Sequence, residues 1–239
     1  MNNPFCASFE EVRDLYVTHM KAESRKNYDE STSNLTRAEI KNQLDTQKGG
    51  LIDGIRNLIK KMTKQTEFVE FLAALQLADF YFPNENKNIC FEIKRSVNPK
   101  DIRTYEDLTG SFESYTHIDC QVRNADRTIS FQIKRDYSDH TPKGFSIWLN
   151  EKVFKKYAEM SGTALVIFLG VPKDNRVVEL NKYYEEFVKN CTEHISFDSV
   201  SILYNDNDSG HIVLHELFPN HKRTMIDANL AMARFRGDT

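Results

Sequence analysis

Two stretches of this chain alternate so strictly that one local structure suits them best. Ile118-Asp119-Cys120-Gln121-Val122 and Ile129-Ser130-Phe131-Gln132-Ile133-Lys134 carry an apolar side chain at every second position. Between them lies the polar run Arg123-Asn124-Ala125-Asp126-Arg127. Successive side chains of a strand point to opposite faces, so the pattern predicts a β-hairpin, with arms at 115–123 and 128–136 and one buried face. Ile118, Cys120, Val122, Ile129, Phe131 and Ile133 take the apolar face, and Asp119, Gln121, Gln132 and Lys134 the other. A symmetric turn sets Asp119 directly across from Gln132, at roughly 4.5–5.5 Å between Cβ atoms. Lys134 follows roughly 6.8 Å further along the same face. An acid, an amide and a lysine are thereby gathered on a rigid element.

The layout occurs twice. Asp79, Glu92 and Lys94 each precede their counterparts Asp119, Gln132 and Lys134 by 40 positions. The parity holds there too, with Ala78, Phe80, Phe82, Ile89, Phe91 and Ile93 on the apolar side. The earlier set has the stronger acid, Glu92, where the later one has an amide. The sequence thus offers two candidate sites, or one site beside a structural echo of it. Residues 75–82 can either finish a helix or form the first arm of the earlier hairpin.

What surrounds the later hairpin favours it. Residues 66–74 read as a helix with Phe68, Phe71, Leu72 and Leu75 inward and Glu67 and Glu70 on an adjoining face. Asn88 to Arg95 is a strand, and Lys100 to Leu108 a short helix before Gly110. After the hairpin, Phe145 to Leu149 reads as a short strand or turn. Asn150 to Met160 is a helix capped by Asn150, with Gly162 just past its end. Thr163-Ala-Leu-Val-Ile-Phe-Leu-Gly170 is a continuous apolar run, as a strand covered on both faces requires. A strand that follows a crossover helix is a parallel partner. Further on come a helix at 180–189, a hairpin at 200–204 and 211–217, and a terminal helix at 225–235.

Ahead of all this, residues 1–64 read as a helical segment. A helix runs from Ser8, its N-cap, to Lys26, and two more occupy 35–44 and 51–63 around Lys48-Gly49-Gly50. Residues 65–239 then form the α/β core with its C-terminal hairpin and helix. The apolar stripes of the first segment serve core packing, or pair with a second copy of the chain as a homodimer.

Composition limits the function. A net charge of −3 argues against a protein that coats nucleic acid without preference, while leaving room for a local basic groove. The four cysteines, Cys6, Cys90, Cys120 and Cys191, show no C-x-x-C pair and no zinc-like spacing with the seven histidines. Cys90 and Cys120 fall in strands and read as buried hydrophobes. With no signal-like start and no apolar run near the ~20 residues of a membrane span, the expectation is a soluble protein of a reducing compartment, the cytoplasm.

The Asp119, Gln132-Ile133-Lys134 pattern resembles the active-site motif of the PD-(D/E)xK phosphodiesterases, the restriction-endonuclease-like nucleases, in the branch with Gln in place of the second acid. The helix–three strands–helix–strand order is similar to that family's αβββαβ core; the likeness covers about Glu67 to Pro172. The resemblance implies an α/β (α+β) fold with a mixed central sheet and Mg²⁺- or Mn²⁺-dependent cleavage of nucleic acid, DNA before RNA. It also implies roles. Asp119, the Gln132 side-chain carbonyl and the Ile133 backbone carbonyl would hold the metal, all oxygen ligands suited to a hard cation. Lys134 would orient or deprotonate the attacking water or stabilise the phosphate. Glu70, on the first core helix, would help hold the metal. Glu92 could supply the charge that Gln132 lacks, if its strand lies beside that of Asp119. The rival expectation is a catalytically silent nuclease fold acting as a binding or assembly module.

Overall fold

The computed structural model describes residues 4–19, 66–113, 118–135, 141–170, 180–191, 195–206 and 209–227. The two helices expected at 35–44 and 51–63, and with them the homodimer through them, lie outside the described residues.

Among the described residues, one eight-stranded mixed sheet has its strands in sequence order. It comprises β1 (Pro4–Ser8), β2 (Asn88–Glu92), β3 (Cys120–Arg123), β4 (Thr128–Arg135), β5 (Thr163–Gly170), β6 (Ser199–Asp206), β7 (His211–Phe218) and β8 (Arg223–Asp227). Neighbours are antiparallel except β4–β5 and β5–β6, which are parallel. Each parallel pair is joined through a helix, as the geometry of crossovers demands.

The apolar faces of the strands explain the layers. Alternate residues of β5 go to opposite sides: Ala164, Val166 and Phe168 join one buried cluster, Leu165 and Ile167 the other. The first cluster is covered by α1 (residues 9–19) and α2 (Thr66–Tyr81), through Phe9, Val12, Phe71, Leu75 and Ala78. The second is covered by α4 (Pro142–Trp148), its continuation Leu149–Phe154, and α5 (Leu180–Cys191). α3 (Tyr105–Ser111) is a short helix between β2 and β3.

Ser8 caps α1 as expected. Its hydroxyl accepts from the Glu11 N–H at 3.2 Å, and the Glu11 carboxylate accepts the Ser8 N–H at 2.8 Å.

Several expectations need correction. The helical N-terminal segment is preceded by a strand, since Pro4–Ser8 pairs with β2 at the sheet edge. Cys90 is not a lone buried hydrophobe: it stands directly across from Cys6, and the two form a disulfide. Of the two readings of residues 75–82, the helix holds as far as Tyr81: every residue from Ala73 to Asp79 is buried, without the alternation of a half-buried strand. The segment 100–108 splits into a 3₁₀ turn at Pro99–Asp101 and α3, whose start is a capping box of Thr104 and Asp107, so Gly110 lies inside the helix. Phe145 to Leu149 is helical, not extended. The cap is Thr141 with Pro142 in the first turn, and Asn150 sits inside. Phe145, Leu149 and Val153 all bury against the sheet, a stripe of period four that the π-type turn, with the Lys155 N–H on the Asn150 carbonyl, accommodates. Residues 223–227 extend the sheet instead of starting a helix.

Candidate functional site

The hairpin of β3 and β4 forms with Cys120 opposite Phe131, Val122 opposite Ile129 and Arg123 opposite Thr128. Asn124 makes the turn: its side-chain oxygen accepts the Asp126 and Arg127 N–H groups at 3.0 and 2.9 Å. Cys120, Val122, Phe131 and Ile133 bury on the α1–α2 side. Gln132 and Lys134 sit beside Leu165 and Ile167 of β5 and so face the α4–α5 side.

Asp119 stands just ahead of β3, with a small irregularity at its backbone. Its N–H donates to the Phe131 carbonyl at 2.9 Å, although Phe131 is already the partner of Cys120. Two residues therefore oppose one, as in a β-bulge, and Asp119 is not squarely across from Gln132. The carboxylate turns back into the ladder, where Oδ2 accepts the Ile133 N–H at 2.6 Å and the Gln132 amide Nε2. Lys134 Nζ is 3.8 Å from the same oxygen. The acid–amide–lysine cluster exists, and Asp119 is its hub.

Burial gives the cluster its character. The Asp119 side chain is 10% exposed and that of Lys134 27%. Gln132 is 1% exposed, and its Oε1 is buried with no hydrogen-bond partner among the described residues. A buried carbonyl oxygen without a donor costs free energy, about 1–3 kcal/mol. The Lys134 ammonium also lies 5.3 Å from the ring centroid of Tyr157, and Lys156 lies 5.1 Å from it. Tyr157 is the residue that sequence reasoning passed over. Its helical spacing marks it as core, and nothing local reports that the crossover brings it to Lys134.

Glu70 lies near enough to act on the same end of the hairpin. Burial pushes the Cys120 thiol well up, and the charges of Asp119 and Glu70 push it further. The earlier set does not form a second cluster. Asp79 is in the last turn of α2, and its carboxylate takes Lys87 Nζ at 2.6 Å in a buried pair. Glu92 ends β2, where its carbonyl accepts the Glu113 N–H at 3.2 Å. Lys94 Nζ donates to the Gly110 carbonyl at 2.7 Å.

The strand of Glu92 does lie beside that of Asp119, but the ladder from β2 to β3 runs only from Asn88 to Cys90. Past that point β2 takes Phe112 and Glu113 as neighbours.

Among the described residues, no three His, Cys, Asp or Glu side chains gather into a group able to hold a metal ion. Around Asp119 the available donors are the Gln132 oxygen and backbone carbonyls. No helix among the described residues is long and apolar enough to cross a membrane. Set against family models, curated proteins and solved structures, the chain matches none of them.

Proposed function

We propose that the chain is a metal-dependent nuclease of the PD-(D/E)xK type, hydrolysing phosphodiester bonds in DNA with Asp119, Gln132 and Lys134 as its site. The observation that carries this is the convergence of Gln132 and Lys134 on one carboxylate oxygen of Asp119, within a helix–three strands–helix–strand order interrupted only by a 3₁₀ turn and the short helix α3 after the first strand. The Gln132 oxygen, buried beside that carboxylate without a donor, fits a hard cation better than it fits a dry core. Asp119, Gln132 and the Ile133 carbonyl would hold Mg²⁺ or Mn²⁺. Such an ion activates water and offsets charge on the phosphate oxygens. Lys134, steadied between Asp119 and the Tyr157 face, orients the water or meets the developing phosphate charge. Glu70 would help hold the ion from α2, where its charge reaches Cys120, next to Asp119.

One observation favours the second reading, a silent fold that binds or assembles. The Asp119 carboxylate already accepts from its own hairpin, through Gln132 and Ile133, as a structural pin would.

Cleavage of single- and double-stranded DNA and RNA with Mg²⁺ or Mn²⁺ separates the two. The nuclease reading expects cleavage that falls about 10²–10⁴-fold in Lys134→Ala, the range for loss of a positioned proton-transfer group, and survives in Lys94→Ala. Absence of cleavage on every substrate overturns the nuclease reading and favours the binding module.

A further inference from the structure

Among the described residues the sheet ends at β8, and the outward side of that strand is a self-complementary edge. Its five residues, Arg223-Thr224-Met225-Ile226-Asp227, alternate exposed and half-buried, with Arg223, Met225 and Asp227 exposed. β8 pairs with β7 through His211–Asp227, Val213–Met225 and His215–Arg223, and among the described residues no strand lies beyond it.

The ladder fixes which backbone groups face out. The Glu216 N–H donates to the Lys222 carbonyl at 2.8 Å, so position 222 is in a hydrogen-bonded pair with β7. Such pairs alternate along an antiparallel ladder. Thr224 and Ile226 therefore spend their N–H and C=O groups on β7, while those of Arg223, Met225 and Asp227 point away from it. An edge of this kind is a template for another strand.

We propose that β8 is the interface with a second copy of this chain, through antiparallel β8–β8 pairing about a two-fold axis at Met225. Directly opposed residues must lie on the same face, so a two-fold pairing has to be centred on a residue, never between two. Centring on Met225 overlaps all five residues. It then sets Arg223 of each copy across from Asp227 of the other, and Met225 against its own counterpart. Each of these three pairs is of the hydrogen-bonded kind, using the outward groups that β7 leaves unused. Opposite charges at the two ends of an edge strand attract a copy of themselves in this one direction, whereas like charges would repel it. Met225 is 53% exposed, the most exposed large apolar side chain among the described residues, and sits at the axis. Arg223 also reaches Asp206 within its own chain, at 3.7 Å with its side chain 46% exposed. It keeps enough freedom to share its charge. A five-residue edge is a small interface, so the dimer forms and separates with concentration rather than being permanent.

The test is sedimentation equilibrium of the full chain from micromolar concentration upward, with Arg223→Glu, Asp227→Lys and an equimolar mixture of the two. Wild type should dimerise. Each variant alone sets like charges opposite each other twice, and its dissociation constant should rise about tenfold or more. In the mixture both pairs are again of opposite sign, so dimer should return, while urea midpoints show that both variants are folded. Met225→Cys should cross-link to itself under mild oxidation, since hydrogen-bonded pairs lie about 5.5 Å apart at Cα, within disulfide reach. A wild type that stays monomeric, as it would if residues 228–239 of its own chain cover β8, overturns the proposal. So does a dimer indifferent to both charge changes, or a mixture that stays apart.

Discussion

The buried pair of Asp79 and Lys87 offers the sharpest energetic test. Asp79 is 3% exposed and Lys87 8%, and Nζ to Oδ1 is 2.6 Å. The ammonium also donates to the Phe82 carbonyl at 3.0 Å and lies 4.5 Å from the Phe9 ring centroid. It therefore ties the end of α2 to the loop before β2 and to the start of α1. Asp79 Oδ2, by contrast, is buried without a hydrogen-bond partner among the described residues.

Removing one partner leaves the other as an uncompensated buried charge, at a cost of about 3–5 kcal/mol. Replacing both by apolar groups of similar volume removes the desolvation penalty as well, and is often neutral or stabilising. Asp79→Leu and Lys87→Met should each therefore lower stability by about 3–5 kcal/mol, a fall in Tm of roughly 6–20 °C for a chain of this size. The double variant should recover most of that loss. Urea unfolding of the four proteins gives the coupling directly. Single losses below about 1 kcal/mol, or a double variant as unstable as the two losses added together, would refute the reasoning.

The hub role of Asp119 makes a second prediction. Asp119→Ala leaves the Ile133 N–H and the Gln132 amide without their acceptor and should cost about 2–3 kcal/mol in urea unfolding. Gln132→Met removes the orphaned oxygen together with the amide that donates to Asp119, so the two effects should offset to within about 1 kcal/mol of wild type while any metal-dependent cleavage is abolished; a loss beyond about 3 kcal/mol would mean that the oxygen has a donor as well. The third prediction concerns pH. Burial, then the neighbouring His221 and Arg223, lower the His215 pKa from its ordinary 6.5 to about 4. The unfolded chain then binds the extra proton between those values, so stability is full above about pH 6.5, falls as pH drops toward 4, and levels off below that. The loss should approach roughly 3 kcal/mol, read as the change in urea midpoint across that window. His215→Gln should flatten this part of the profile, and an unchanged slope would assign it elsewhere.

Alternation alone established a good deal. The strict period of two in 118–122 and 129–134 placed the hairpin, its buried face and the polar face of Gln132 and Lys134. The apolar run 163–170 announced a strand covered on both sides, and Ser8 announced the start of α1. These signals are legible because burial of one face is imposed residue by residue, and a slip of one position would turn every side chain over.

What sequence could not give is which faces meet. Residues 145–149 fit a strand pattern as well as a helical stripe until Phe145, Leu149 and Val153 are seen packed together. The repeat at Asp79, Glu92 and Lys94 is the same case: identical spacing, but Asp79 lies on a helix and is claimed by Lys87. Tertiary structure alone brought Tyr157 to Lys134, Cys6 to Cys90, and the Asp119 carboxylate into the ladder. The reason is physical. Periodicity reports the environment of one element, whereas its neighbours are chosen by backbone hydrogen bonds that every residue type makes alike, and by long-range packing that no local window contains.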